Sequence, residues 1–339
     1  MNPEAKNHDA MLPPAEPMSS AQPPVVHKIF IGKDGLRAGW SLLVFIALLA
    51  AVFIAASLVI HKIHPHNPSA AKKMPEISLK VAFINESIPL AIVIFVTWIM
   101  SKIERRSTSV YGLGGSRKVA HFFAGLAWGV VCLSLLVLSL WKTGLLAVDR
   151  RLLFGSDILR YGAMWLLGFL LVGLFEEYFI RGYVQYTLTR GLAGFYRWAS
   201  NTRHSEAFGF WTSAVILSFL FGLSHGRNPG ESPIGLLSAG LVGMVFCLSL
   251  WRTGSLWWAI GFHGAWDWSQ SFLYGVADSG AMVQHHLLAA HPVGKPILSG
   301  GATGPEGSIY IVAALGIVSL IILLTLPRTY RSDSPERST

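Results

Sequence analysis

Long apolar runs, separated by short polar segments, dominate the chain. Several of these runs approach the ~20 residues that a helix needs to cross the hydrocarbon core of a bilayer. The runs are continuous rather than alternating, which argues against a membrane β-barrel. The pattern therefore predicts an all-α fold, a polytopic transmembrane helical bundle of about eight spans. The predicted spans are 39–60, 81–101, 119–140, 159–189, 208–225, 234–251, 255–275 and 308–327.

The composition agrees with a membrane protein. Hydrophobic residues make up 52% of the 339 residues and charged residues 13%, about half the charged fraction of an ordinary soluble domain. Residues 1–29 and 329–339 are polar and are predicted to be disordered tails around one domain at 30–328. The N-terminal tail lacks the apolar core of a signal peptide. Cys132 and Cys247 fall inside predicted spans and are interpreted as packing residues.

The basic residues predict a topology rather than a nucleic-acid partner. The net charge is +9, but the Lys and Arg residues lie mostly between the apolar runs, where they serve orientation and contact with anionic lipid. Their excess on the side of the N-terminus places both termini in the cytoplasm. We expect a multi-pass protein of the bacterial cytoplasmic (inner) membrane, in contact with the lipid bilayer and without nucleic acid.

Two segments depart from a regular series of crossings. The span at 159–189 is longer than one crossing needs, so it must tilt or project beyond the membrane. The loop at 276–307 is long and rich in Gly, His and Pro. It contains His285, His286 and His291, and we interpret it as a solvated loop rather than a metal site.

Three ionisable residues interrupt the fourth span in the stretch GLFEEYFIRGYVQ. A charge inside a bilayer costs about 2.5–3.5 kcal/mol on insertion scales, so such groups usually face a bundle interior or an aqueous cavity. At ~100° per residue, Glu177 and Arg181 lie one turn apart and can pair. Glu176 points to a different face, which leaves its carboxyl group available for chemistry.

Two further polar motifs lie on other spans. Phe221 and His225 share a face at the end of the fifth span, and His263 and Asp267 are one turn apart on the seventh. With Glu176 they could supply a general base, an orienting group and an oxyanion stabiliser. This inventory favours hydrolysis of an acyl bond.

Other hydrolytic chemistries lack their motifs. The chain has no GxSxG elbow, no HExxH and no Walker-type phosphate loop. We expect no cofactor. A zinc ion held by Glu176, His225 and His263 stays open as an alternative, since His and carboxylate ligands suit zinc.

The three motifs resemble those of the CAAX protease and bacteriocin-processing (CPBP) family. This family of intramembrane endopeptidases, described as metalloproteases or glutamic proteases, includes the type II CAAX prenyl endopeptidases. Its pattern is EExxxR, then FxxxH, then HxxxN or HxxxD. The chain reads EEYFIR from Glu176 to Arg181, FGLSH from Phe221 to His225 and HGAWD from His263 to Asp267, in this order on separate spans.

Further segments resemble bacterial members of the family and extend the likeness to about residues 30–328. They are RAGW at 37–40, ERRSTSVYGLG at 104–114, GSLWWAIGFHGAWD at 254–267 and GGATGPEGS at 300–308.

The resemblance implies roles for the motif residues. Glu176 would activate a water molecule that His225 helps to position. His263 and Asp267 would stabilise the oxyanion.

Glu177, Arg181 and Phe221 would be supporting residues. Position 267 departs from the prenyl endopeptidases, which carry Asn there. An ionised Asp accepts hydrogen bonds and cannot donate one to an oxyanion, so Asp267 must either be protonated or orient His263 instead.

The predicted boundaries raise a difficulty of depth. They place Glu176 toward the inner end of span four and His225 toward the outer end of span five, where the two cannot meet. A longer span four, or a short span five with an inward loop, would bring them together.

Three functions fit the sequence. The first is an intramembrane endopeptidase of the CAAX prenyl endopeptidase type, acting on a membrane-associated or leader-type polypeptide. The second is a non-catalytic membrane immunity or regulatory partner. The third is a transporter or proton relay, although the repeat symmetry and paired broken helices expected there are not visible.

Overall fold

The computed structural model describes residues 29–32, 35–63 and 76–327. Over these residues the chain is nearly all helical. The predicted tails lie outside the described residues, apart from Ile29, so their disorder stays a prediction. The helices are α1 (Ala38–Ile63), α2 (Leu79–Ile103), α3 (Lys118–Lys142), α4 (Ser156–Ser200), α5 (Ser205–Ser224), α6 (Pro233–Thr253), α7 (Trp257–Trp268) and α8 (Tyr310–Thr325).

Short antiparallel sheets are the exception to the helical fold in the described part of the chain. β1 (Ile31–Gly32) pairs with β2 (Gly35–Leu36) just before α1, and β3 (Leu146–Arg151) pairs with β4 (Leu288–Pro292). The second sheet ties the α3–α4 connection to the long loop between α7 and α8. Single helical turns occur at Thr108–Val110, His225–Arg227, Pro296–Ser299 and Pro305–Gly307.

A helix lies at each of the eight predicted spans, which confirms the helical membrane fold. Within the described residues, α1 to α6 are long and apolar enough to cross a membrane. The α8 helix is shorter, with 16 residues, and α7 has 12, so the number eight is approximate. Many large apolar side chains of these helices are exposed, as expected of faces that contact lipid. The protein is therefore a multi-pass membrane protein.

The fourth helix is longer than the apolar pattern predicts. It continues without a break for 45 residues, or about 65 Å at the helical rise, roughly twice the thickness of the hydrocarbon core. Its C-terminal part packs antiparallel against α5. The Oγ atoms of Thr189 and Ser213 are 2.7 Å apart, and Gly209 lies against the backbone of Thr189 and Ala193.

This pairing corrects the predicted depth of the motifs. Because the two helices run antiparallel, a residue four positions before Thr189 on α4 lies opposite a residue four positions after Ser213 on α5, and the next four follow in the same way. Arg181 accordingly lies over the ring of Phe221, at 4.3 Å from its centroid. One more step sets Glu177 level with His225. The difficulty arose because the predicted span ended at 189, whereas the helix ends at Ser200.

The α7 helix lies at the centre of the bundle, with α3 on one side and α4 on the other. Glycines allow both contacts, because a Cβ atom at these positions would meet the backbone of the neighbouring helix. Gly129 of α3 faces the carbonyl of Phe262, and Gly173 of α4 lies against Gly264 and the Cβ of His263. Close packing at small residues is the usual way in which helices associate inside a membrane. The close α4–α7 contact brings His263 beside the glutamates.

A methyl group at Gly129 should destabilise the bundle. Its Cβ atom would lie 2.9 Å from the Cβ of Ala265 and closer still to the Phe262 carbonyl, an overpacking that costs typically ~1–3 kcal/mol. This exceeds the gain in helix propensity of about 1 kcal/mol. We expect Gly129→Ala to lower the unfolding temperature in detergent, followed by tryptophan fluorescence.

Gly316→Ala on α8 is the matched control. A Cβ atom there has no neighbour within 4 Å, so this variant should unfold at the wild-type temperature or slightly above. Equal unfolding temperatures for the two variants would contradict the close α3–α7 contact.

Candidate active site

The α4 helix changes its geometry at the first motif. From Glu177 to Val184 it forms a π-helix, with hydrogen bonds to the fifth residue rather than the fourth. Glu176 is the last residue before this wider stretch. A second π-helical stretch, Ser269–Leu273, follows α7 two residues after Asp267. Such stretches occur frequently at functional sites, and here each one begins next to a motif carboxylate.

Glu177 connects α4 to α7. Its side chain is completely buried, and its Oε1 atom lies 3.0 Å from Arg181 Nη1 and 3.1 Å from His263 Nδ1. The ion pair with Arg181, which the spacing predicts, keeps Glu177 an acceptor of hydrogen bonds. The Nδ1 atom of His263 must therefore carry the hydrogen and donate it. This contact fixes both the orientation of the His263 ring and the location of its Nε2 atom.

Phe221 connects the first motif to the second. Its ring supports the guanidinium of Arg181, an attractive cation–π contact, and packs edge-on against the ring of His225 at 4.7 Å between centroids. The carbonyl of Phe221 accepts a hydrogen bond from His225 Nδ1 at 2.8 Å. In neutral His225, the Nε2 atom is consequently the acceptor that remains.

The Nε2 atom of His263 faces two carboxylates. It lies 3.5 Å from Asp267 Oδ2 and 3.8 Å from Glu176 Oε2. The side chain of Glu176 is 27% exposed, whereas that of Glu177 is 0% exposed. The adjacent glutamates thus divide as the spacing predicts, one engaged in a buried ion pair and the other open to a cavity.

The cavity beside Glu176 encloses about 270 Å³. The predicted residues Glu176, His225, His263 and Asp267 all line it, together with Phe221. They come from α4, α7 and the C-terminal end of α5. Glu177 and Arg181 lie behind this wall and hold it in place. The structure brings the four predicted catalytic side chains to one cavity.

Sequence reasoning missed further residues of the cavity. Glu86 of α2 and Phe246 of α6 line it, and the ring of Phe246 lies 5.3 Å from that of His263. Glu86 carried the signal used for Glu176, a carboxyl group inside a predicted span. Phe246 carried none, because an aromatic residue in an apolar helix is unremarkable.

The loop between α7 and α8 also contributes to the cavity, contrary to its interpretation as a solvated loop. Asp278 and Glu306 line the cavity. Burial raises the pKa of Asp278 well above its usual range. Burial also raises the pKa of Glu306, although hydrogen bonds from Ser279 oppose the shift. No sequence pattern marked Asp278, whereas Glu306 lies in the glycine-rich segment 300–308, whose resemblance to the family stays a prediction.

The histidines of this loop have other contacts. His285 stacks on Tyr161, His286 donates a hydrogen bond from Nδ1 to the carbonyl of Val283, and His291 pairs with Asp149. Over residues 29–32, 35–63 and 76–327, no group of three or more His, Cys, Asp or Glu side chains is arranged to hold a metal ion. The alternative zinc set of Glu176, His225 and His263 therefore gains no support from this arrangement.

The family comparison agrees with the geometry. Residues 159–269 match the family model described as Type II CAAX prenyl endopeptidase Rce1-like. This stretch contains every motif residue from Glu176 to Asp267, which confirms the resemblance there. The wider likeness over 30–328 stays a prediction. No curated protein and no solved structure matches the chain.

Breaking the buried ion pair should be costly. Glu177→Gln leaves the Arg181 charge buried without its partner, which typically costs about 3–5 kcal/mol. We expect the single variants Glu177→Gln and Arg181→Met each to lower the free energy of unfolding strongly. The double variant should cost less than their sum, as measured by chemical denaturation in detergent micelles.

The exposed pair of Arg197 and Glu206, at 2.9 Å, is the control. Pairs of this kind contribute ~0–1 kcal/mol, so Glu206→Gln should change stability little. Additive effects of the two buried substitutions would contradict the assigned pairing.

Proposed function

We propose that this chain, whose residues 159–269 match the Rce1-like family, is an intramembrane endopeptidase with Glu176 as its general base. The observation that carries the proposal is the convergence of Glu176, His225, His263 and Asp267 from three helices on one cavity. A carboxylate, two imidazoles and a second carboxyl group suit the addition of water to a peptide carbonyl.

The first step is the activation of water. A water molecule held between the Glu176 carboxylate and His225 Nε2 gives its proton to Glu176 as its oxygen attacks the scissile carbonyl carbon. His225 can accept a hydrogen bond from this water because its Nδ1 is engaged by the Phe221 carbonyl. The tetrahedral intermediate then collapses, and Glu176 returns the proton to the leaving amine.

The second requirement is a donor for the oxyanion. His263 Nε2, when protonated, and a protonated Asp267 supply donors on the same side of the cavity. Glu177 keeps the ring in this orientation through Nδ1. Preorganised donors of this kind are worth about 10²–10³ in rate.

The proposed steps use no metal, and the zinc alternative is decided by the chelator experiment below. The proposed substrate is a leader peptide or the tail of a membrane protein.

Removal of the base tests the assignment. We expect Glu176→Gln to lower the cleavage rate by at least about 10²-fold, since the amide cannot accept the proton. The measurement is cleavage of membrane and leader peptides by purified protein in liposomes. Candidate substrates can be found by N-terminal profiling of membranes from cells carrying either form.

Glu206→Gln, at the exposed end of the α4–α5 hairpin, should cleave like the wild type. Cleavage should also survive a zinc chelator. Equal cleavage rates for wild type and Glu176→Gln would overturn the proposal. Cleavage activity that a chelator removes and zinc restores would instead support the metal alternative. A phenotype that survives Glu176→Gln with His225→Ala would favour a non-catalytic partner.

Position 267 gives a second test of the oxyanion site. A carboxyl group donates a hydrogen bond only while protonated, whereas an amide donates at any pH. We expect Asp267→Asn to stay active and to lose less of its rate at alkaline pH than the wild type, because only the wild type loses the donor at position 267 as the pH rises. The measurement is kcat against pH for both forms.

Asp267→Ala is the companion variant and should be slow at every pH. If Asp267→Asn were as slow as Asp267→Ala, the carboxylate would be acting as an acceptor that orients His263.

We further propose that the protein resides in the bacterial cytoplasmic membrane with both termini inside, supported by the positions of Lys and Arg. This orientation puts the α7–α8 loop, and the end of the cavity that the loop lines, on the outer side. The native cysteines are buried, so a single introduced cysteine reports topology. In intact cells, an impermeant maleimide should label Lys295→Cys but not Ser107→Cys. The reverse labelling pattern would show that the protein has the opposite orientation in the membrane.

A further inference from the structure

Glu86 belongs to the cavity but to none of the three motifs. It lies on α2, which packs against the N-terminal half of α4, and its side chain lines the same cavity as Glu176. The α2 helix carries no basic residue three or four positions from Glu86, so no pairing within the helix can neutralise it. A carboxyl group inside a membrane span is costly and by default marks a functional site.

The other acidic side chains of the cavity have contacts within the protein. Glu176 and Asp267 face His263 Nε2. Asp278 accepts a hydrogen bond from Ser271 Oγ, and Glu306 accepts bonds from the backbone and hydroxyl of Ser279.

Glu86 differs from all of these carboxyl groups. It has no hydrogen bond and no ion pair to any residue that the structure describes. Among the described residues that line the cavity there is also no Lys and no Arg. The two histidines of the lining, His225 and His263, are engaged by Phe221 and Glu177. A Lys or Arg that pairs with Glu86 would therefore have to enter with the ligand.

The loop carboxyl groups are poorer candidates for this role. Asp278 and Glu306 already accept hydrogen bonds from Ser271 and Ser279, whereas Glu86 has no such partner among the described residues. Much of the remaining lining is apolar, including Phe169, Val172 and Leu315. Next to this apolar part of the lining, a carboxyl group without a partner suits a polypeptide segment in which apolar side chains flank one basic side chain.

We infer that Glu86 is a specificity residue that binds a Lys or Arg side chain of the polypeptide substrate inside the cavity. The inference rests on the proposed endopeptidase function, because it assigns a substrate class to the same site. The basic side chain would pair with Glu86 while the scissile bond lies beside Glu176. The cavity lies within the helical bundle, so the charge pair should matter more than it would on an open surface.

The experiment uses the full-length protein in liposomes and a cleaved peptide identified by profiling. Lys is moved one position at a time through the residues around the scissile bond, each peptide being matched to one with norleucine in its place. We expect the wild type to prefer Lys at one position by about tenfold or more in kcat/KM. Glu86→Gln should abolish this preference, so that each Lys peptide is cleaved with the same kcat/KM as its norleucine partner.

A charge reversal gives a second readout. Glu86→Lys should shift the preference toward Glu at the same position, which a merely structural role would not produce. Glu76→Gln is the matched control, since Glu76 lies just before α2 and does not line the cavity. It should keep the wild-type preference for Lys.

Several outcomes would overturn the inference. If the preference for Lys survives in Glu86→Gln, another group, such as Asp278 or Glu306, is responsible for the preference. An equal loss of rate for all peptides shows that Glu86 shares a proton with Glu176 instead. Uniform cleavage of all peptides by the wild type refutes this inference alone, whereas no cleavage of any peptide refutes the proposed function with it.

Discussion

One buried carboxylate organises the site. The Oε1 atom of Glu177 accepts hydrogen bonds from Arg181 on its own helix and from His263 on α7. A fully buried carboxylate without partners would be strongly destabilising, so these contacts are conditions of folding as well as of function. The guanidinium of Arg181 in turn rests on Phe221. The Glu177 carboxylate and its contacts thus fix the orientation of α4, α5 and α7 relative to one another. The neighbouring Glu176 is left facing the cavity.

Close helix packing makes that carboxylate reachable. Gly173 lies one turn before Glu177, and its backbone touches α7 at Gly264 and His263. Larger residues at this crossing would move α7 outward and lengthen the contact between Glu177 and His263. On the far side, α3 holds α7 through Gly125 and Gly129 in the same way. The close apolar packing therefore sets the distance between the helices, while the polar contacts set the rotation of each helix about its axis.

Much of the fold and of the motif placement follows from sequence patterns. The apolar runs locate the eight helices, and the spacing of Glu177 and Arg181 predicts their pairing. The predicted end of α4 was wrong because residues 190–200 are only partly apolar. Packing against α5, rather than contact with lipid, keeps these residues helical. The π-helical stretch also escapes prediction, because tertiary contacts select it over ordinary helical hydrogen bonding.

The cavity residues outside the motifs show a second limit of sequence reasoning. Glu86 met the criterion applied to Glu176 but had no partner motif to draw attention to it. Asp278 and Glu306 reach the site through a loop whose path depends on the β3–β4 pairing between distant segments. Local patterns carry no information about such a pairing.

The π-helical stretch from Glu177 to Val184 has a consequence for how this sequence can vary in length. A π-helical stretch holds more residues per turn than the helix around it. An extra residue in this stretch is therefore absorbed by the wider turns, and its loss, with a return to ordinary helical bonding, would leave the helix beyond it facing nearly the same way. A residue gained or lost between Val184 and Thr189 would instead rotate everything beyond it by about 100°. Thr189 would then turn away from Ser213, and α5 would no longer deliver His225 to the level of Glu177. Changes of length in α4 should therefore be confined to the π-helical stretch itself, and elsewhere to the connections between helices.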